Sequence, residues 1–417
     1  MLRFEVTCAS SVGTAGLRRG VLTAERAGQP ALQVETPTFM KYTRNALQPH
    51  LVPEVAAELA ELPALTRVQL EDFLDGGDPA QRRFDQTLRE FAALDPREVT
   101  ILDILDPTVT RRPAKSGTKY MAIDSEGGTR RLTPETFARI VDALKPDIIV
   151  PPADYVEEPL PSLTQGKRVS KSISRSSAWL AECLQRVTHN AAVFAPVMGS
   201  LNIQLRETYA RDLAERQNIF GFSLNDAGLA LPLDEKLALA QHSLALLDDS
   251  KPRYMAGVSA PDAVLRAVLG GVDLVDSSYP YAVTEQGFAS TYTLSGDGNA
   301  AHLDVWQEAM FSDFQPLVQG CSCFTCRNHH RSYIHHLLKA REMLATVLLQ
   351  VHNLHWYQRF FAAMRSSLAR GTLPDDAEQF LARYKGAFGE LDLLATQICS
   401  PTTKIQRKRH VDVAETL

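Results

Sequence analysis

Three cysteines at positions 321, 323 and 326, spaced C-x-C-x2-C, are the residues of this sequence whose chemistry is easiest to name. Three soft thiolates and one imidazole close a four-coordinate tetrahedral shell around Zn2+ and leave no position for substrate or water. Such a metal builds structure and does not react. Only six cysteines occur in 417 residues, at 8, 183, 321, 323, 326 and 399. Half of them therefore crowd into one short loop, which calls for a shared metal in a chain with no evident disulfide framework. Several histidines compete to be the fourth ligand: His329, His330, His335, His336, His352 and His355. The near ones sit on Arg327 to Ile334, expected to be a turn and helix start, where a short tether makes closing a tetrahedron awkward. His352 lies in a long helical pattern, Leu337 to Phe361, and can reach back from a neighbouring helix to clip the loop down.

A second set of polar residues stands at the ends of short apolar runs: Asp154, Ser200, Asn225, Asp226, Ser259 and Asp276. The runs are 147–150, 192–197, 219–224, 254–258 and 272–276, and they are predicted strands. Amphipathic helical patterns separate them: Pro134 to Leu144, Ser176 to Leu184, Leu201 to Gln217, Asp234 to Leu247 and Pro261 to Leu269. Continuous apolar strands alternating with helices make parallel βα units, either a doubly wound sheet or a (β/α)8 barrel. No G-x-G-x-x-G turn follows any strand, so the nucleotide-binding open sheet lacks its signature. Singly, each strand-end polar residue caps the next helix. Together they mark the face on which barrels carry their sites. The expected fold is α/β, a (β/α)8 TIM barrel with a C-terminal zinc-binding helical subdomain.

Composition bounds the rest. The chain is 45% apolar and 22% charged, enough to bury a large core in one domain plus an appendage. No run of apolar residues is long enough to span a membrane, and the first residues lack the apolar stretch of a secretory signal, so a reducing, intracellular, cytoplasmic location is expected. A net charge of −5 does not advertise nucleic-acid binding; contact with a phosphate backbone must come from local basic patches. One candidate is Lys167, Arg168, Lys171 and Arg175. On a helix the steps from Arg168 to Lys171 to Arg175 put these three on one face, either touching phosphate or simply solvated. The turn-rich Ser295 to Asn299 divides the expected barrel domain, residues 1–300, from the zinc subdomain and C-terminal helices, residues 301–417. An apolar stripe (Phe380, Leu381, Tyr384, Phe388, Leu391, Leu394, Ile398) and a basic tail, residues 404–410, follow.

The stretches Gly271 to Asp276, Pro280 to Gly287, and Pro316 to Cys323 continuing through His335-His336-Leu337 to His352-Asn353 resemble the tRNA-guanine transglycosylases over most of the chain. The resemblance implies a (β/α)8 barrel with a zinc subdomain. It assigns the metal to Cys321, Cys323, Cys326 and His352. It also implies exchange of guanine for queuine at the wobble position of tRNA. There a carboxylate attacks the ribose C1′ of a flipped-out guanosine, guanine leaves, and a replacement base displaces the enzyme. Asp276 matches the nucleophile, and Asp154 either matches a base-recognising Asp or is a surface-loop carboxylate beside Glu157 and Glu158. Peripheral association with the mitochondrial outer membrane is implied by the resemblance alone.

The pocket departs from the pattern. Where catalytic members carry D-S-G-G-F-Q, this chain reads Arg67 to Leu74. Their purine-reading V-Q-G-G is Val197-Met198-Gly199-Ser200 here, so a thioether replaces an amide. Their G-L-x-V-G-E has become Ser223 to Leu229, and P-T-R has become Pro280-Tyr281-Ala282-Val283. Four such losses make the expected role a noncatalytic subunit. It pairs with a catalytic homologue in a heterodimer, or with itself when alone, and supports tRNA binding. In the alternative, the chain is itself a competent transglycosylase with Asp276 as nucleophile.

Overall fold

A computed structural model describes residues 1–9, 16–57, 59, 61–74, 87–108, 115–125, 127–156, 162–224, 231–295 and 301–384. The chain opens with an antiparallel meander, β1 (Leu2–Ala9), β2 (Arg18–Ala24) and β3 (Leu32–Thr36). Eight parallel strands follow: β4 (Thr38–Met40), β5 (Leu65–Gln69), β6 (Val99–Asp103), β9 (Ile148–Ile149), β10 (Ala192–Pro196), β11 (Gly221–Ser223), β12 (Arg253–Tyr254) and β13 (Leu274–Asp276). Each pairs with the next, and β13 returns to β4. A parallel bridge from Lys41 to Thr66 joins β4 to β5 and closes the ring. The intervening β7 (Met121–Ser125) and β8 (Gly128–Leu132) form a separate hairpin. The expected barrel is present.

Alternation along these strands sorts side chains between two cores, as the period of two requires. Met40, Leu65, Ile101, Phe194, Tyr254 and Leu274 fill the interior together with Leu22, Ala24 and Val34, so the N-terminal meander plugs the barrel's lower end. Phe39, Val68, Leu102, Ile149, Phe222 and Val275 face the helices. A buried ion pair, Arg18 Nε to Asp273 Oδ1 at 2.9 Å, ties the plug to the foot of β13. The inward parity continues upward, from Leu65 to Arg67 and Gln69, from Ile101 to Asp103, and from Leu274 to Asp276. That series carries the chain's polar chemistry to the upper mouth.

Two predicted helices have the observed bounds, Pro134–Leu144 and Pro261–Leu269. The first starts at an N-cap, where the Thr133 side chain accepts from the Thr136 N–H, with Pro134 at the first turn. The helix expected from Ser176 runs from Ser162 to Arg186; Lys167, Ser170, Lys171 and Ser174 on its first half face solvent. The single pattern expected from Leu337 to Phe361 is two helices, Arg331–Ala340 and Met343–Arg370. Arg341 adopts φ 61 and caps the first by donating to the Leu337 carbonyl. The long second helix covers the β13–β4 seam, with Tyr357 and Phe361 ring centroids 4.9 and 5.2 Å from that of Phe39. β14 (Phe288–Ser290) pairs with β15 (His302–Asp304), and the last described helix is Leu373–Arg383. Glu157, Glu158, Asn225, Asp226, Phe388, Leu391, Leu394, Ile398, Cys399 and residues 404–410 lie outside the described residues.

Candidate metal centre and barrel mouth

Cys321, Cys323, Cys326 and His352 converge, all four buried, with ligand atoms within 4.8 Å of one another. Gly320, at φ 73, turns the chain into the loop. Cys323 then caps the short helix Phe324–Asn328 by accepting from the Cys326 N–H at 3.3 Å. Thr325 Oγ1 donates to the Leu348 carbonyl at 2.6 Å and fastens the loop to the long helix one turn before His352. His352 Nδ1 stands 3.9, 3.5 and 3.4 Å from the sulfurs of Cys321, Cys323 and Cys326. Metal–sulfur bonds of about 2.3 Å and metal–nitrogen bonds of about 2.0–2.1 Å at tetrahedral angles separate such atoms by roughly 3.6 Å, so the donor set fits a tetrahedral cation. His352 Nε2 donates to the Ser290 carbonyl at 2.9 Å, which leaves the Nδ1 lone pair facing the sulfurs.

The protons of these groups are in conflict. Hydrogen bonds among the sulfurs, led by that to Cys323, drive the Cys321 thiol far below its usual value, while those same contacts push Cys323 upward. Burial opposes the charge on His352, but the hydrogen bonds from Cys321 and Cys326 prevail and raise it to about 9. A divalent cation that ionises all three thiols removes the conflict. Three of the competing histidines are engaged elsewhere. His335 Nδ1 bonds the Val305 carbonyl, His330 accepts from the Tyr333 N–H, and the His329 ring stacks on Tyr333. His336 is exposed, and His355 Nε2 lies 3.4 Å from Ser322 Oγ.

At the mouth, Asp276 is fully buried at the end of β13. Its Oδ2 accepts from the Gly257 N–H at 2.6 Å and its Oδ1 from the Ser278 N–H at 2.9 Å. Beside it Arg67, 1% exposed, fills the top of the barrel. Arg67 Nη2 pairs with Asp103 Oδ2 at 2.9 Å, its Nε donates to Tyr254 Oη at 2.6 Å, and Tyr254 donates in turn to Asp103 at 2.9 Å. Around this plug, Tyr42 Oη donates to Asp106 Oδ2 at 2.8 Å, and Thr108 Oγ1 donates to Asp106 Oδ1 at 2.7 Å. Burial holds the Tyr42 and Tyr254 phenols well above their usual range, so both remain neutral donors. Burial likewise raises the neighbouring Asp72 carboxyl to about 6.

Asp154 is also fully buried, and both of its oxygens are taken. Arg168 grips it bidentately, Nη1 to Oδ2 and Nη2 to Oδ1, each at 2.8 Å. Arg175 Nη1 adds a contact to Oδ2 at 2.9 Å. Arg168 and Arg175 thus point inward, onto one carboxylate, whereas Lys171 is exposed on the same helix. Ser259 Oγ meets Ser278 Oγ at 2.8 Å beneath the Asp276 turn, and the Ser200 carbonyl accepts from Arg206 Nη2 at 2.6 Å. The sequence reading missed the Arg67–Asp103–Tyr254 plug. Its signal was available: an arginine at an inward position of an apolar strand requires a carboxylate at the end of the next one.

Residues 14–386 match the protein family described as queuine tRNA-ribosyltransferase. That match spans the barrel and the metal centre together. The chain belongs to the queuine tRNA-ribosyltransferase family. Among relatives in this family, a Danio rerio protein is 33% identical over 414 residues, covering 89% of this chain and 97% of its own length. A Xenopus laevis protein is 30% identical, covering 88% of this chain and 96% of its own. One from Ixodes scapularis is 30% identical, covering 85% and 94%. Each of the three is named queuine tRNA-ribosyltransferase accessory subunit 2. Family membership and the geometry agree on the α/β barrel with its buried Cys3His cluster, while the Arg67 and Arg168 contacts set this family member's mouth apart from an open pocket.

Proposed function

We propose that this chain is a noncatalytic accessory subunit of a complex that exchanges guanine for queuine at the wobble position of tRNA. It would pair with a catalytic homologue and support assembly and tRNA binding. The observation that carries the reading is the state of the mouth. Base exchange needs a carboxylate free to attack and donors and acceptors free to read a purine edge. Here Asp154 is committed to Arg168 and Arg175, Asp103 to Arg67 and Tyr254, and Asp276, held by two backbone amides, is fully buried beside the Arg67 that fills the mouth. A partner's residues cannot vacate those contacts from outside the barrel. The relatives' name, accessory subunit 2, supports the same role.

In this reading Cys321, Cys323, Cys326 and His352 hold one structural Zn2+, because three thiolates and an imidazole form a closed, soft, tetrahedral shell. Residues 1–300 make the barrel body and residues 301–417 the metal-bearing extension, joined through the β14–β15 hairpin and the Met343–Arg370 helix. Lys171, with the part of Arg168 and Arg175 not spent on Asp154, faces tRNA phosphate. No described helix is long and apolar enough to cross a membrane. The test is base exchange into tRNA by this chain alone, by the catalytic homologue alone and by the two together. Activity restricted to the homologue and the pair supports the reading, and activity of this chain alone overturns it.

A further inference from the structure

A chain of net charge −5 carries one concentrated basic face. From Ser162 to Ala181 the long helix has four cations, Lys167, Arg168, Lys171 and Arg175, and no acid. Lys167, Lys171 and Arg175 follow one another at i+4 steps along one side. The segment entering the β7–β8 hairpin packs against the end of this row. Arg175 Nη1 donates to the Ser116 carbonyl at 3.1 Å, and Trp179 Nε1 donates to the Thr118 carbonyl at 3.0 Å. These contacts set Lys115 and Lys119, flanking residues of the same segment, beside the helix row. The hairpin then adds Arg130 and Arg131, the latter with its guanidinium 4.8 Å over the Tyr120 ring. Eight cations on these two packed elements thus outnumber the acids described on them, Asp124 and Glu182, and the buried Asp154 beside them is already gripped by Arg168 and Arg175. Lys115, Lys119, Lys167 and Lys171 are exposed. None of the four is held in an ion pair among the described residues.

We propose that the hairpin entry and the Ser162–Arg186 helix form a single phosphate-binding face that tracks an RNA backbone toward the barrel mouth, with Lys115, Lys119, Lys167 and Lys171 as its contacts. The proposal rests on the tRNA-binding reading above and extends it to the hairpin. Protein–protein interfaces are poor in lysine and anchored by buried aromatic residues. This face offers flexible ammonium groups, and its aromatic residues are spent within it, Tyr120 under Arg131 and Trp179 on the Thr118 carbonyl, the composition that neutralising phosphates demands. The row ends on the Arg168–Asp154–Arg175 cluster, so a strand lying along it is led to the upper end of the barrel.

The experiment measures tRNA affinity of the assembled heterodimer across a salt series, with this subunit wild type, quadruply Lys→Gln at 115, 119, 167 and 171, or quadruply Lys→Arg there. Each lost phosphate contact lowers the slope of log K against log salt by about 0.7 to 0.9. The Gln variant should therefore lose roughly three units of slope and raise KM for tRNA with kcat unchanged, and the Arg variant should behave as wild type. An unchanged slope in a folded, assembled Gln variant overturns the proposal. So does lost assembly with unaltered tRNA binding by the isolated chain, which would make the face a protein contact. Base exchange by this chain alone would instead overturn the noncatalytic reading and leave the surface standing.

Discussion

Asp276, Asp154 and Asp103 are carboxylates at one barrel mouth, and each has its role set by its partners. Two peptide N–H groups hold Asp276, a guanidinium fork holds Asp154, and an arginine and a tyrosine hold Asp103. The sequence made the cysteine cluster legible because soft ligands at close spacing have few other uses. It left the arginines ambiguous, since helical spacing states which residues share a face and not whether that face meets water or a buried acid. Cys323→Ser should abolish stoichiometric metal and destabilise the C-terminal region by several kcal/mol in denaturant titrations, because binding of the proposed structural metal would be coupled to folding. A variant that kept full metal and stability would contradict the assigned ligand set. His302, buried beside Tyr279, gives a pH prediction. Burial lowers it to about 3, against about 6.5 unfolded. Its neutral form therefore contributes stability above about pH 6.5 that is lost as pH falls toward 3, at up to about 1.4 kcal/mol per unit. Asp72 and Asp273, raised to about 6 mainly by burial, act in the opposite sense. The difference between wild type and His302→Gln over pH 7 to 5 isolates the histidine, and an equal pH slope in the two proteins would refute its role.

At the scale of elements, the strand–helix alternation was legible because each parallel strand is buried on both faces and reads as an unbroken apolar run. Helix ends marked by Thr133-Pro134 and by Pro261 were legible as well. The first half of the Ser162–Arg186 helix was hidden by its polar composition, and the break at Arg341 was hidden because a left-handed arginine leaves no Gly or Pro to announce it. The Met343–Arg370 helix does two jobs: it presents His352 to the cysteine loop and closes the barrel wall through Tyr357 and Phe361. Phe361→Ala removes a fully buried ring from that wall and should cost about 3–5 kcal/mol in a chemical unfolding experiment. A cost below about 1 kcal/mol would mean that the helix does not bear on the barrel as described. Because His352 rides on this same helix, the loss should also loosen the metal, read as faster transfer to a chromogenic chelator.

The described residues form a barrel closed at its lower end by the N-terminal meander and filled at its upper end by Arg67, with a helical extension that carries the Cys3His cluster against one seam. The family resemblance anticipated this architecture and located the missing purine-reading motifs. What replaced them was not legible, because a lost glutamine or aspartate does not say which side chain turns inward to take the space. The central claim is that this mouth does no chemistry, and Asp276→Asn in this subunit of the assembled complex tests it most directly. Asparagine keeps the side chain's size and can still accept from the Gly257 or Ser278 N–H, so assembly should survive. Loss of a working nucleophile removes several orders of magnitude of rate. The account predicts base exchange within about twofold of wild type; a complex that assembles normally but falls silent would contradict it.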